Sequence, residues 1–402
     1  MPALMKILVL NSGSSSIKYR AFEIAREEKR LAKGLVDRIG LKGSTVTHEV
    51  PGRDTVEYCK DIPDHNVAIG EITSLLTHPE RGIVKSLREI EGVGHRVVHG
   101  GEHFSKSVLI DDAVLAAIRE CCEIAPLHNP PNLLGIEACM KLLPGVQQAA
   151  VFDTAFHQTM PSKAYAYAIP YAMYLKYKIR RYGFHGTSHM YVAQEAARIL
   201  GRPMSELKII TCHLGNGCSI AAVKHGASVD TSMGFTPLEG LVMGSRSGDI
   251  DPYVPLYIME REGMGIGEMS DFLNKKSGLL GICSKRDMRD ILQDAARGLK
   301  PALLAVEVFT YRVAKYIGAY AMAMSGVDAI VFTAGMGEKS ATIRSHILAY
   351  ATHLGVEIDE EKNGRHEAIF STPRSKIAAM VIPTNEELVI ARDTYRLITN
   401  RI

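Results

Sequence analysis

Three short stretches of this chain set glycine and small polar residues directly after apolar runs: NSGSSS at 11–16, HLGNG at 213–217 and TAGMGEKS at 333–340. Turns of this kind expose backbone N–H groups, and the first also brings the side chains of Asn11, Ser12, Ser14, Ser15 and Ser16 to the surface. The chemistry they suit is the holding of phosphate. The third turn leads into SATIRSHILAYATHL, read as a helix whose N-terminus attracts anions. Several phosphates, or one nucleotide, fit such a set. The usual nucleotide fingerprints are missing: no GxxxxGK(S/T) occurs, and neither GMGIGE nor GMGEKS completes GxGxxG.

Charged groups cluster beside other apolar runs. GHRVVHGG (94–101) sets Arg96 between His95 and His99 in a strand-like context, as a surface arginine or as an anion clamp. VFDTAFH places Asp153 at the end of a buried strand, where a carboxylate meets magnesium or substrate, or else caps the next helix. In RRYGFHGTSH (180–189), His185 and His189 are four apart, as in some metal sites. No carboxylate or cysteine completes a ligand set nearby, and Gly183 and Gly186 indicate a loop, so a phosphate role is preferred. MGSRSGDIDP (243–252) holds Arg246 among Ser245, Ser247 and glycines, either as a solvated loop or as a phosphate contact.

The elements that must position these residues read as α/β. ILVLNSGSSSIKYRAF (7–22) is a strand, a polar turn and a second strand. IITCHLGNGCSIAAV, from Ile209, repeats the pattern with Ile210 over Ile7 and Ile220 over Ile17, an offset of half the chain. Helices are expected at Ile110–Glu123 and Tyr191–Leu200, buried strands at 149–153 and 329–335. Pro301 suits the first turn of a long core helix, with Leu304, Val308, Tyr311 and Lys315 on one stripe. Two related α/β halves facing a cleft are the expected architecture.

Composition limits the partners. Of 402 residues 46% are hydrophobic, and a formal net charge of +3 without a basic block argues against nucleic acid. No apolar run reaches the ~18 residues of a membrane helix. Seven cysteines without a CxxC pair, in a chain with no leader pattern, suggest a reduced cytoplasmic protein, with Cys121 and Cys122 as buried thiols rather than zinc ligands.

NSGSSSIK, GHRVVHGGE, APLHNPPN, VFDTAFHQTMP, RRYGFHGTSH, CHLGNGCSI, DTSMGFTPLEGLVMGSRSGDIDP and IPTNEELVIAR resemble, in order, the motifs of the acetokinase family of acetate, propionate and butyrate kinases, from residue 7 to 392. The resemblance implies a duplicated actin/Hsp70/sugar-kinase-like (ribonuclease H-like) α/β fold. On that fold an N-terminal domain of residues 1–152 would be completed by 388–402, and 153–387 would form the nucleotide-binding domain. It implies a homodimer that transfers a phosphoryl group between ATP and acetate with magnesium or manganese. Asn11 and Glu386 then match the metal positions, and Arg96, Asp153, His185 and Arg246 the catalytic set. Lys18, the loop His213, Leu214, Gly215, Asn216 and Gly217, then Asp287, Met288 and Arg289, and Gly335, Met336, Gly337, Glu338 and Lys339 match the nucleotide contacts. Val98, Leu127, Phe184 and Pro237, with Arg96, match the acyl site.

The chain departs from the family pattern at Ser245, usually Thr, at Lys339, usually Asn, and in CSKRDMR (283–289), where a longer Ser/Gly-rich run is usual. Lys285, Arg286 and Lys339 therefore add charge beside the nucleotide motifs. The rival expectations are a propionate kinase of the same family, a sugar or polyol kinase, and an actin- or Hsp70-like ATPase without a carboxylate substrate.

Overall fold

In the computed structural model, residues 4–25 and 27–399 are described; residues 1–3 and 400–402, at the ends of the expected domains, lie outside them. The chain divides into two compact units, one comprising the described residues of Met1–Ala155 and Asn385–Ile402, the other Phe156–Thr384. The divisions fall three residues from each expected boundary. They leave Asp153 on the strand it follows and keep the Glu386–Ile398 helix whole.

The first unit is built on an eight-stranded sheet. Its strands are β1 (Met5–Ser12), β2 (Ser16–Ile24), β3 (Glu28–Asp37), β4 (Ser44–Glu49), β5 (Val56–Lys60), β6 (Gly92–Val97), β7 (Val108–Leu109) and β8 (Gln147–Phe152), in the order β5-β4-β3-β2-β1-β6-β8-β7. The two-residue period of β1 sends Leu8 and Leu10 into one core, with Ala138 and Cys139 of the Asn129–Leu142 helix. Ile7 and Val9 enter another, with Ile390 and Tyr395 of the Glu386–Ile398 helix. That helix lies directly on β6. A Cβ at Gly94 would stand 2.4 Å from Thr394 Oγ1 and 2.6 Å from Ile390 Cγ2, so only glycine lets the helix come this close.

The second unit has a five-stranded sheet of β9 (Lys208–Leu214), β10 (Cys218–Lys224), β11 (Ala227–Thr231), β12 (Ala329–Thr333) and β13 (Ala378–Val381), ordered β11-β10-β9-β12-β13. The order and the strand directions match β3-β2-β1-β6-β8: two antiparallel steps, then two parallel ones. Duplication therefore shows in topology where sequence identity is low. A single offset does not serve both strands of the hairpin. Ser12 pairs with Ile17 across four residues, whereas Leu214 pairs with Cys218 across three.

Local expectations are corrected in several places. The strand expected over 329–335 ends at Thr333, and the glycine turn expected after it is the short Ala334–Lys339 helix; the helix expected from Tyr191 begins at Gly186, which opens a helix rather than marking a loop. The helix expected over Ile110–Glu123 spans Asp112–Glu120, capped by the Asp111 side chain on Val114 N. In the Lys300–Met324 helix the buried stripe is Ala302, Ala305, Val306, Phe309, Val313, Ile317 and Met324, while Leu304 and Tyr311 are exposed. The expected stripe is thus the outer face, and Lys315 was the residue out of keeping with a core. Ser12 is buried rather than displayed in the turn, because β1 continues through it and its hydroxyl abuts Gly135, where a Cβ would stand 2.2 Å away. Cys121 is buried and Cys122 half-buried. Among the described residues no helix is long and apolar enough to cross a membrane.

Candidate active site

In the first unit the chemistry gathers at the carboxyl ends of three neighbouring strands, β1, β6 and β8, where open parallel sheets present ligands. Asn11 lies on β1, Arg96 on β6 and Asp153 immediately after β8, its N–H donating to Val97 O at 3.0 Å. Arg96 donates from Nε to Asp153 Oδ1 at 3.0 Å, from Nη2 to Oδ2 at 2.5 Å, and from Nη1 to Asn11 Oδ1 at 3.3 Å. The pair is bidentate, so both carboxylate oxygens of Asp153, 1% exposed, are engaged. Burial would pull the Arg96 guanidinium down, but Asp153, Glu386 and Glu387 outweigh it and keep Arg96 firmly protonated.

Glu386 opens the Glu386–Ile398 helix, whose cap is the Asn385 side chain. Burial pushes its carboxyl up to about 7; Asp153 and Glu387 add to the rise, and Arg96 and Lys18 oppose it. Glu387 is turned to Arg20, 3.5 Å away. Lys18, exposed on β2, pairs across the ladder with Asn11. Among the described residues no three His, Cys, Asp or Glu side chains gather to hold a metal alone. Asn11 and Glu386 nonetheless offer the oxygen donors that magnesium prefers when phosphate completes its shell. Glu386, a carboxylate that burial disfavours, fits a cation.

The backbone beyond Arg96 is fixed by two asparagines of the Asn129–Leu142 helix. Val98 N donates to Asn132 Oδ1 at 3.0 Å, and Asn132 Nδ2 to Ser12 O at 2.6 Å. His99 N donates to Asn129 Oδ1 at 3.1 Å, and Asn129 Nδ2 to His99 O at 2.9 Å. Residue-by-residue reading missed both as positioning groups, although they stand in APLHNPPN. Val98 is buried, whereas Leu127 is 58% exposed.

In the second unit, His185 stands in the left-handed region (φ 55°) just before the Gly186–Leu200 helix. Its ring stacks on His213, centroids 4.1 Å apart, and its Nδ1 lies 2.8 Å from Ser219 Oγ. A Cβ at Gly217 would lie 3.5 Å from His185 Nε2 and 3.7 Å from Arg246 Nη1, so both groups flank this turn. Arg246 donates to Pro237 O at 3.3 Å, and among the described residues no carboxylate pairs with it. Burial lowers its affinity for the proton, Cys218 opposing. A guanidinium so placed is short of an anion. Its loop is closed by Asp249, which accepts from Gly240 N and from Tyr316 OH, both at 2.8 Å. Phe184 is buried, its carbonyl accepting from His157 Nε2 at 3.0 Å; Pro237 is half-buried.

A cavity of about 950 Å³ brings together Gly215, Asn216, Asp287, Met288, Arg289, Gly335, Met336 and Lys339 of the expected nucleotide contacts. Arg286 and His366 also line it. His213, Leu214 and Gly337 are buried, Gly217 is half-buried beside Arg246, and Glu338 faces inward. Glu338 Oε1 accepts from Ala334 N at 2.8 Å and Thr384 N at 3.1 Å, holding Ala334 at φ 62°. Asp287 caps the Met288–Ala296 helix and accepts from Arg289, whose hydrogen bonds hold its carboxyl at about 2. The fully buried Arg344 donates to Gly337 O at 2.8 Å, Glu338 O at 2.9 Å and Asn363 Oδ1 at 2.7 Å, tying two walls of the cavity.

Comparison with known proteins agrees with this geometry. The model of the acetokinase family matches residues 6–392. An acetate kinase of Carboxydothermus hydrogenoformans is 58% identical over 400 residues, 99% of this chain and 100% of that protein. The crystal structure of Porphyromonas gingivalis acetate kinase has a TM-score of 0.93 at 47% identity, covering 98% of this chain and 100% of that one. A propionate kinase from Francisella tularensis subsp. tularensis has a TM-score of 0.92 at 45% identity, with the same coverages.

Proposed function

The chain belongs to the acetokinase family, and on that premise we propose that it is an acetate kinase, transferring the terminal phosphoryl group of ATP to acetate to give ADP and acetyl phosphate, reversibly. The observation that carries the reading is the pair of arginines. Arg96 is fixed by a buried carboxylate, and Arg246 is held beside a glycine turn with no carboxylate of its own.

Phosphoryl transfer spreads negative charge over the moving group while the carboxylate approaches, so positioning and charge neutralisation dominate. Arg246 supplies that neutralisation to the phosphoryl oxygens, His185 adds a hydrogen bond to them, and Arg96 neutralises the acetate carboxylate. The cavity bounded by Gly215, Asp287, Gly335 and Lys339 takes the nucleotide. Asn11 and Glu386 would hold magnesium, which would neutralise phosphate charge. Asp153 is not a base here. A carboxylic acid with an ordinary pKa of about 4 is already ionised at neutral pH and has no proton to give up. Asp153 orients Arg96 instead.

By the family's motifs, the residues assigned to the acyl methyl group are Val98, Leu127, Phe184 and Pro237, all four apolar. One methylene in a tight apolar pocket is worth about 1–3 kcal/mol, so acetate is favoured over propionate by roughly ten-fold or more, with butyrate poorer still. Val98→Ala raises the kcat/KM ratio of propionate to acetate. Wild-type preference for propionate, or an unchanged ratio in the variant, refutes the acyl assignment.

The homodimer is proposed on the apolar side chains that the second unit exposes, among them Tyr171, Leu175, Tyr177, Tyr253 and Leu256. The seven free cysteines support a reducing, cytoplasmic location.

A further inference from the structure

The Gly186–Leu200 helix, with His185 just before it, and the β9–β10 hairpin bring together His185, His189 and His213 with the hydroxyls of Thr211 and Ser219, which the reaction above does not use in full. Ser219 stands opposite His213 in the ladder, and Thr211 is two residues before His213, so strand alternation puts all three on one face. His189, from the helix, sits between the hydroxyls: its Nδ1 is 2.7 Å from Thr211 Oγ1, and its Nε2 is 2.7 Å from Ser219 Oγ. Ser219 Oγ is in turn 2.8 Å from His185 Nδ1. A continuous chain therefore runs Thr211, His189, Ser219, His185. Thr211, His189 and Ser219 are all fully buried.

Counting hydrogens fixes its direction. Burial, reinforced by His157 and His213, holds His189 well below the ordinary imidazole value, so at neutral pH it has one ring hydrogen to give. Ser219 has one hydroxyl hydrogen, and among the described residues its only acceptors are the two facing ring nitrogens, so one of them accepts from it and the other donates to it. If His185 donated from Nδ1, Ser219 would donate to His189 Nε2 and His189 would donate from Nδ1 to Thr211. The Thr211 hydroxyl hydrogen would then have no acceptor among the described residues, stranded in the core. In the opposite direction every hydrogen is used: Thr211 donates to His189 Nδ1, His189 Nε2–H to Ser219, and Ser219 to His185 Nδ1.

We propose that Ser219, oriented by the buried His189 and Thr211, is the positioning residue that holds His185 in its Nε2–H tautomer, a neutral donor turned toward Gly217 and Arg246. A carboxylate at this place would demand Nδ1–H and favour the cation. A hydroxyl with its hydrogen already directed outward does the reverse. His185 then gives the phosphoryl oxygens a hydrogen bond, and the cationic charge comes from Arg246. The inference rests on the kinase reading for its consequence in rate, and on geometry alone for the tautomer.

The test has two arms. Nitrogen-15 resonances of the histidine rings in the full chain, near neutral pH, report the tautomer directly, with His185 assigned by loss of its signals in His185→Gln. The expected result is a hydrogen-bearing Nε2 and a bare Nδ1 in the wild type, and a mixture of tautomers in Ser219→Ala. In the kinetic arm, Ser219→Ala lowers kcat by about 10–100-fold with the KM of ATP and acetate changed by less than about three-fold, and Ser219→Cys recovers part of the loss. Thr211→Val, which keeps the shape and removes the first donor, lowers kcat in the same sense with the same mixing. Protonated Nδ1 in the wild type, or wild-type kcat in folded Ser219→Ala, overturns the proposal. Should Ser219→Ala fail to fold, the wild-type resonances and Thr211→Val decide it. A chain inactive on acetate defeats the kinase reading and leaves the tautomer measurement standing.

Discussion

Arg96→Ala and Arg246→Ala each lower the turnover of acetate and ATP by roughly 10²–10³, the scale of losing one preorganised donor to developing charge. They differ in stability, and the difference follows from their partners. Arg96 is one half of a bidentate pair whose other half, Asp153, is 1% exposed. Removing Arg96 leaves a buried carboxylate uncompensated, at a cost of about 3–5 kcal/mol. Arg246 has a carbonyl partner and no ion pair among the described residues, so its removal changes stability by about 1 kcal/mol or less. Denaturant unfolding of the two variants beside their kinetics checks both statements. Wild-type turnover in either folded variant removes the arginine from the mechanism.

Asp153→Asn loses activity on a similar scale, and neither raised pH nor an added small base restores it. The amide keeps the volume of the carboxylate but loses its charge and sets an NH2 donor where one of the two accepting oxygens met the guanidinium, so the two-oxygen pairing that fixes Arg96 is lost. Were Asp153 a general base, a small exogenous base would recover part of the rate. Assays across pH and in the presence of such bases separate lost positioning from lost proton transfer, and rescue would show that proton removal matters.

Much of this arrangement is local in sequence and therefore legible there. Asn11, Arg96 and Asp153 each stand at or beside the end of an apolar strand, and the first two glycine turns announce themselves by composition, whereas TAGMGEKS folds as the Ala334–Lys339 helix. The partnership between Arg96 and Asp153 is not local: it comes from β6 lying beside β8, a sheet order that no spacing encodes. Glu386 joins the same unit because its helix packs on the sheet, over β1 and across Gly94 of β6. The core face of the Lys300–Met324 helix is not legible from spacing alone, because apolar residues lie on both faces: Val306, Phe309, Val313 and Ile317 are buried while the equally apolar Leu304 and Tyr311 are exposed. Asn132, Ser219 and Thr211 are invisible to a search for reactive side chains, since their role lies in which hydrogen bonds they complete.

The most direct test is trapping of the acyl phosphate as hydroxamate. With ATP, magnesium, hydroxylamine and the full chain, acetate yields acetohydroxamate together with stoichiometric ADP, propionate yields less by roughly ten-fold or more, and without a carboxylic acid neither product accumulates. ADP formed at the same rate with and without acetate, and no hydroxamate from any of the acids, would contradict the account and leave an ATPase with no carboxylate substrate.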